Sequence, residues 1–385
     1  MNSGTRLFAG LPSDGSLPKK AATCSVALLI RKPDISLFMP TRSLLAAVAL
    51  AAVLDSASAF ASPNDLTIVT RDDSLQRAVQ TAFVQPFTAL TGASVQQQTW
   101  EGGVEALRAQ AKGPDHSWDV VLLDGDELAT GCGEGLLEKL DWAAIGGKEH
   151  YLPQAVSDCG VGAIVDNTVL AWDKDKLPVA PSWADFWDVA KYPGKRGLRK
   201  DVRGNLEFAL LADGVAPADV YKTLSTNEGV DRAFRKLDQL KPYIEWWSNE
   251  SEAARLLASG EVLMTSAPSA QIAVLAQQEH KNFGLQFTGS LWQVDFWAIM
   301  KDSALSRLAQ QFLYFTGMPA VQERLLRQSG NGGLAKGAND GLPPELAAES
   351  PSSAANLGAG LKVDAGFWRE NLGKLRQRFE AWQAH

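Results

Sequence analysis

From Asp65 onward, short runs rich in β-branched residues alternate with stretches of helical periodicity. A chain built that way buries its apolar faces as βαβ units, which points to an α/β architecture with largely parallel strands. Residues 66–70, 94–100 and 118–123 read as strands, with 75–90 and 103–111 as the helices between and after them. The run 118–123 (WDVVLL) is almost wholly apolar, as a strand covered on both faces should be. The run 160–172 (GVGAIVDNTVLAW) is long and interrupted at Asp166-Asn167, which predicts one strand passing from one lobe into another. Ser182 with Asp185 forms a capping box for a short helix that ends before Pro193-Gly194. A helix over 227–240 is stopped by Pro242, and one over 251–259 is closed by Gly260. Residues 261–265, 285–288 and 294–300 read as strands, two helices meet at Gly317-Met-Pro319, and 330–337 is a glycine-rich loop. Residues 341–360 read as surface loop and 367–383 as the last helix, within a 385-residue chain that has room for two domains.

Ahead of this region stands the one strongly biased segment, residues 44–54 (LLAAVALAAVL). It is too short to cross a bilayer, which takes roughly 20 apolar residues. Arg42 precedes it and Ala59-Phe-Ala61 follows it, the order of a secretory signal peptide. Translation from Met39 and cleavage after Ala61 are expected, so that 1–38 is a mis-assigned or disordered leader and 39–61 the signal peptide. No cysteine stands at the cleavage point to carry a lipid anchor, and the mature protein is expected in the periplasm. Cleavage removes Cys24 and leaves Cys132 and Cys159 as an even pair in an oxidising compartment. A disulfide between them is expected, the alternative being two buried thiols.

The net charge of −7 is the wrong sign for neutralising phosphates, and nucleic acid is an unlikely partner on that ground. Four scattered histidines (His116, His150, His280, His385) give no metal-ligand spacing, and neither a metal nor a cofactor is expected. No G-x-S-x-G, H-E-x-x-H or phosphate-binding G-x-x-x-x-G-K pattern occurs, and no nucleophile and base can be paired. An enzyme is therefore not expected. What remains are charged and aromatic residues where strands end, the place where open α/β sheets bind ligands. They are Arg71, Asp72 and Asp73, then Trp100 and Glu101, then Asp124 and Asp126, and in the second half Arg199, Lys200, Asp201 and Ser266. In Leu291-Trp-Gln-Val-Asp-Phe-Trp297, Asp295 sits in an apolar and aromatic setting where an unpaired carboxylate is costly. It either pairs with a protein donor or awaits a cationic ligand. Strand alternation places Gln293, Asp295 and Trp297 on one face and Trp292, Val294 and Phe296 on the other. Trp183 and Trp187, one helical turn apart, read as core, and core is also the better reading for Trp246-Trp247.

Several phrases resemble the periplasmic solute-binding proteins of ABC transporters, specifically the spermidine/putrescine-type group. They are Trp118-Asp-Val-Val, Gly135-Leu-Leu-Glu138, Ser182-Trp-Ala-Asp-Phe-Trp187 through Pro193-Gly-Lys195, Leu256-Leu-Ala-Ser-Gly-Glu-Val262 and Asp295-Phe-Trp-Ala-Ile299. The resemblance implies a two-lobed type II periplasmic-binding-protein fold. Each lobe would be a mixed, mostly parallel sheet flanked by helices, joined by hinge crossovers. It further implies delivery of a solute to a membrane permease. Lobe one is expected over 63–163 plus 290–340 and lobe two over 167–288 plus 341–385. By the same resemblance Asp295 and Asp201 receive ammonium groups, while the second acid of the Asp201 pair falls at Gly204 and the expected tryptophan near Ser266. The ligand expected is a small organic amine or polyamine held by a monomer, with Trp100 or Trp292 as a wall and Arg71, Asp72, Glu101, Asp124, Ser266 and Gln293 around it. A carboxylate, phosphate or zwitterion held by Arg71, Arg199 and Arg203 is the alternative on the same fold. An exported hydrolase or transferase is the remaining one.

Overall fold

The computed structural model describes residues 65–71, 73–112 and 117–384. The expected leader (1–38), the signal segment (39–61) and Asp72 lie outside the described residues. Among the described residues nine strands form one mixed sheet: β1 (Asp65–Thr70), β2 (Ser94–Thr99), β3 (Val120–Leu123), β4 (Gly160–Asp173), β5 (Arg196–Arg199), β6 (Ile244–Trp247), β7 (Met264–Pro268), β8 (Phe283–Ile299) and β9 (Leu361–Lys362). Their order is β2-β1-β3-β8-β4-β7-β5-β6, with β9 beside β8. β1, β2 and β3 are mutually parallel, as are β5, β6 and β7. Between these two sets β4 and β8 run antiparallel to each other, from Gly160 opposite Ala298 to Asp173 opposite Phe283.

β4 and β8 tie two packed regions together. Val161, Val165, Val294 and Ile299 belong to an apolar cluster with Leu66, Val121, Phe87 and Phe312. Further along the same strands, Leu170 and Leu291 belong to a second cluster with Phe208, Leu237 and Phe379, and a smaller third one gathers around Val169, Trp247 and Phe287. The stretches expected as two strands, 285–288 and 294–300, are one strand of 17 residues, because β4 supplies ladder partners on both sides of the interruption. Residues 287–290 bulge out opposite Val169, and Gly289 turns the chain there with a φ of 73°. Trp183, buried as expected, holds that bulge by donating its indole N–H to the Gly289 carbonyl at 2.9 Å and stacking on Phe208 at 3.8 Å.

The first long helix continues past a proline. It runs as Asp73–Val79, a π-helical turn Gln80–Val84, and Gln85–Thr91. Pro86 has no N–H for the Ala82 carbonyl, and widening the ladder ahead of it preserves the helix that a strict α-pattern would break. The capping box at Ser182 is present, and the Ser182 backbone N–H bond holds the Asp185 carboxyl down to about 2. The segment expected as loop over 341–360 contains two short helices, Pro344–Ala348 and Ala354–Ala359. Cys132 and Cys159 are joined, tying the end of helix Gly125–Gly133 to the residue before β4. No helix among the described residues is long and apolar enough to cross a membrane.

Candidate functional site

The C-terminal ends of β1, β3 and β5 and one face of the β4–β8 ribbon open onto a cleft. Two connected chambers, of about 880 and about 410 Å³, share Asp124, Asp166, Arg199, Arg203 and Gln293 as lining residues. The ribbon's register sets Ile164 opposite Asp295 and Asp166 opposite Gln293, so period-two alternation presents these four side chains to the same space. Asp295 is 8 % exposed, and its Oδ1 is buried without a hydrogen-bond partner among the described residues. Burial pushes its carboxyl well above the usual range. Asp166, Asp124 and Glu127 push the same way, and Arg71 opposes them. A ligand cation beside Asp295 would act in the opposite direction and favour its carboxylate form.

Beyond β1, the Arg71 guanidinium lies 4.5 Å from the centroid of the Trp100 ring, is ion-paired with Glu127 and stands 4.0 Å from Asp124. Trp100, immediately beyond β2, is buried with its edge against Trp118 at 5.2 Å, and Glu101 after it lines the larger chamber. Asp124 follows β3 and also caps helix Gly125–Gly133. Its Oδ1 accepts from the backbone N–H of Asp126 at 3.0 Å and of Glu127 at 2.9 Å. Burial and then Glu127 push the Asp124 carboxyl up.

In the second half, Arg199 at the end of β5 holds its guanidinium 5.8 Å from the Trp247 ring centroid and forms no salt bridge among the described residues. Trp247 is fully buried, and its indole N–H has no partner among those residues. Ser266 on β7 is buried with its hydroxyl 3.5 Å from the Gly197 carbonyl. Arg199, Trp247 and Ser266 all line the smaller chamber, where the Arg199 guanidinium is a donor suited to an anionic group.

Of the residues singled out from the sequence, Arg71, Trp100, Glu101, Asp124, Ser266, Gln293 and Asp295 line the cleft. Asp201 does not line either chamber. It accepts from the Arg203 backbone N–H at 3.1 Å and from its guanidinium at 3.3 Å, and despite burial Arg203 and Arg199 hold its carboxyl low. Trp292 projects from the ribbon opposite to Gln293, donates to the Leu357 carbonyl at 3.2 Å and lies 5.7 Å from the Lys362 ammonium. It packs against the first apolar cluster and the segment leading into β9. Asp166, Glu127 and Trp247 were missed. Asp166 was visible as the polar break in an apolar strand, whereas nothing in the local pattern marked Glu127 or Trp247.

The charges around the cleft nearly balance. The carboxyl groups are those of Glu101, Asp124, Asp126, Asp166, Glu207, Glu250 and Asp295, against the guanidinium groups of Arg71, Arg77, Arg199, Arg203 and Arg255 and the Lys362 ammonium. Residues 82–354 match the family described as bacterial extracellular solute-binding protein. The chain belongs to that family. Its fold is that of the type II periplasmic binding proteins, and solute-binding proteins of this kind bind a small molecule and deliver it to an ABC permease. The γ-aminobutyric acid-binding protein of Pseudomonas aeruginosa is 40 % identical over 330 residues, covering 86 % of this chain and 94 % of that protein. A solved GABA receptor aligns with a TM-score of 0.73 at 28 % identity, covering 83 % of this chain and 98 % of the other. The binding protein MotA of A. tumefaciens B6, in complex with glucopine, aligns with a TM-score of 0.70 at 29 % identity, over 83 % of this chain and 99 % of that one.

Proposed function

We propose that this solute-binding protein is the periplasmic receptor of an ABC importer for a small zwitterionic amine, an ω-amino acid of the γ-aminobutyric acid type. The observation that carries the reading is that one cleft holds both a buried carboxyl whose Oδ1 has no hydrogen-bond partner among the described residues, Asp295, and a guanidinium with no salt bridge among those residues, Arg199. A ligand with an ammonium at one end and a carboxylate at the other satisfies both. A bare polycation would leave Arg199 unanswered, and a simple anion would leave Asp295 so. The name of the P. aeruginosa relative and the near balance of charge around the cleft support the same choice. In this reading the lobes are 63–163 plus 290–340 and 167–288 plus 341–385, and they close on the ligand about β4 and β8. Closure is driven only by the ligand's greater affinity for the closed form. No bond is made or broken, and the chain reaches the periplasm by cleavage after Ala61.

Titration calorimetry with γ-aminobutyrate, putrescine and butyrate on the chain beginning at Ser62 tests this. Binding of γ-aminobutyrate, lost in Arg199→Gln and in Asp295→Asn, is the expected result, and NMR of the released ligand should show it unchanged. Putrescine binding that is tighter and indifferent to Arg199 would replace the zwitterion by a polyamine. Butyrate binding as tightly as γ-aminobutyrate would replace it by an anion.

A further inference from the structure

We propose that Glu127 keeps the ligand-receiving carboxyl of Asp295 available by confining Arg71, the cation that would otherwise neutralise it. Arg71 and Asp295 line the same chamber, and of the charged groups felt at Asp295 it is Arg71 that favours ionisation. Left to itself, a guanidinium on a five-donor fork is the natural partner of a buried carboxylate. Arg71 is instead held in a cage built by three elements. Glu127 on helix Gly125–Gly133 takes its Nη2, the Trp100 ring lies beneath it, and the backbone at Gly102 closes the remaining side. Gly102 has a φ of 86°, and a Cβ there would collide with the Arg71 guanidinium.

Glu127 is itself fixed for this task. It is 6 % exposed, its Oε1 accepts from the Gly103 N–H at 2.6 Å, and its Oε2 accepts from the Asp124 N–H at 3.1 Å. These bonds explain why a carboxylate can stay buried at this position, since two backbone donors and one guanidinium satisfy it. The groups that bear on Asp295 are then Asp166 from β4, Arg71 beyond β1, Asp124 beyond β3 and Glu127 from the helix. Glu127 is a positioning residue that lines neither chamber and acts by holding Arg71, while its own charge adds to the upward push on Asp295, and the role rests on Asp295 being the ammonium acceptor in the function proposed above.

The test is a set of variants assayed with γ-aminobutyrate by calorimetry and, without ligand, by thermal melting from about pH 5 to about pH 8. Glu127→Gln frees Arg71 to pair with Asp295, and binding is expected to weaken on the order of thirtyfold or more. Glu127→Gln combined with Arg71→Gln removes the competitor and is expected to bind at least tenfold tighter than Glu127→Gln alone. A double variant no tighter than Glu127→Gln would overturn the proposal. Gly102→Ala keeps both charges and evicts the guanidinium, so it should weaken binding in the same direction; unaltered binding there would also count against the cage. The ligand-free melts separate this from the ligand assignment. In the wild-type background Asp295→Asn should remove a downward slope of stability with pH, and in the Glu127→Gln background it should find no such slope to remove. Wild-type protein that ignores γ-aminobutyrate yet shows this difference would sink the ligand and keep the role of Glu127. Tight binding by both, with identical slopes, would do the reverse.

Discussion

Replacing Asp295 by Asn should have opposite effects on binding and on the empty protein. Asp295 is 8 % exposed with its Oδ1 shut off from solvent, so its pairing with a ligand ammonium falls in the class of buried charge pairs, worth about 2–5 kcal/mol, not the 0–1 kcal/mol of exposed pairs. Taking about 3 kcal/mol, the variant should lose on the order of a hundredfold in affinity. In the empty protein the sign reverses. Burial and the neighbouring Asp166 raise the Asp295 carboxyl well above its usual value, so the folded chain holds a proton that the unfolded chain has already released. Stability then falls as pH rises from the ordinary carboxylate range toward the raised value, by at most about 1.4 kcal/mol per pH unit for one proton. Asn cannot ionise, and Asp295→Asn should flatten that part of the curve and melt higher than wild type at the alkaline end. Calorimetric titration and melts over the same buffers give both quantities. A variant that binds like wild type, or that melts lower than wild type across the whole range, would refute the idea of a buried acid kept for a cation.

Cys132 and Cys159 close a loop with a sequence separation of 27, and replacing both by Ser should cost about 3.5 kcal/mol on a chain-entropy estimate, read as a lower guanidinium midpoint that reductant no longer shifts. Trp368→Phe deletes the indole N–H that reaches the fully buried Glu207 at 2.8 Å, leaving it the Tyr221 hydroxyl at 3.0 Å and the Gly204 N–H at 2.9 Å. A loss of about 1.5–3 kcal/mol in urea unfolding is expected. Burial already pushes the Glu207 carboxyl up, and losing a donor pushes it further, so the deficit should grow as pH rises; a deficit independent of pH would mean the residue acts by packing alone. Gly204 has a φ of 85°, and Gly204→Ala should lose about 1 kcal/mol, measured by the same urea titration, with no loss at an unstrained helical control glycine such as Gly133.

Where the chain obeys one period over a long enough run, the sequence could be read almost to the residue. The helix Asn227–Leu240 and the αL cap at Gly260 fall where apolar spacing and Pro242 put them. The helix Ser269–Glu279 was invisible because SAQIAVLAQQE spreads small and apolar residues around its whole circumference, giving no stripe to detect. β6 was lost for a related reason. Ile244–Trp247 packs both faces, so IEWW has no alternation, and its indoles read equally well as helix core. The site divides along the same line. Asp295 could be found because a carboxylate among indoles violates its surroundings, whereas Glu127 looks like any acid in the first turn of a helix. Trp292 misled because alternation says which residues share a face without saying which face meets the cleft. The answer depends on residues 354–363, far away in sequence, crossing over its side of the ribbon.

A cleft that gathers this many opposite charges would seal itself if each met its nearest partner, and the structure shows how two escape. Arg203 is spent locally on Asp201 through an Asx-type turn, two residues apart, and Arg71 is spent on Glu127 inside a cage that strand ends and a helix build together. Both commitments use short-range geometry that holds without ligand. Among the described residues, the Asp295 Oδ1 on β8 has no hydrogen-bond partner and Arg199, beside Trp247, forms no salt bridge. The two groups stand on strands whose neighbouring residues belong to different apolar clusters. In the function proposed above, a molecule carrying both charges satisfies the pair. That is why charge pairing inside the walls and ligand recognition between them depend on one another: removing Glu127 is expected to harm binding even though Glu127 never meets the ligand.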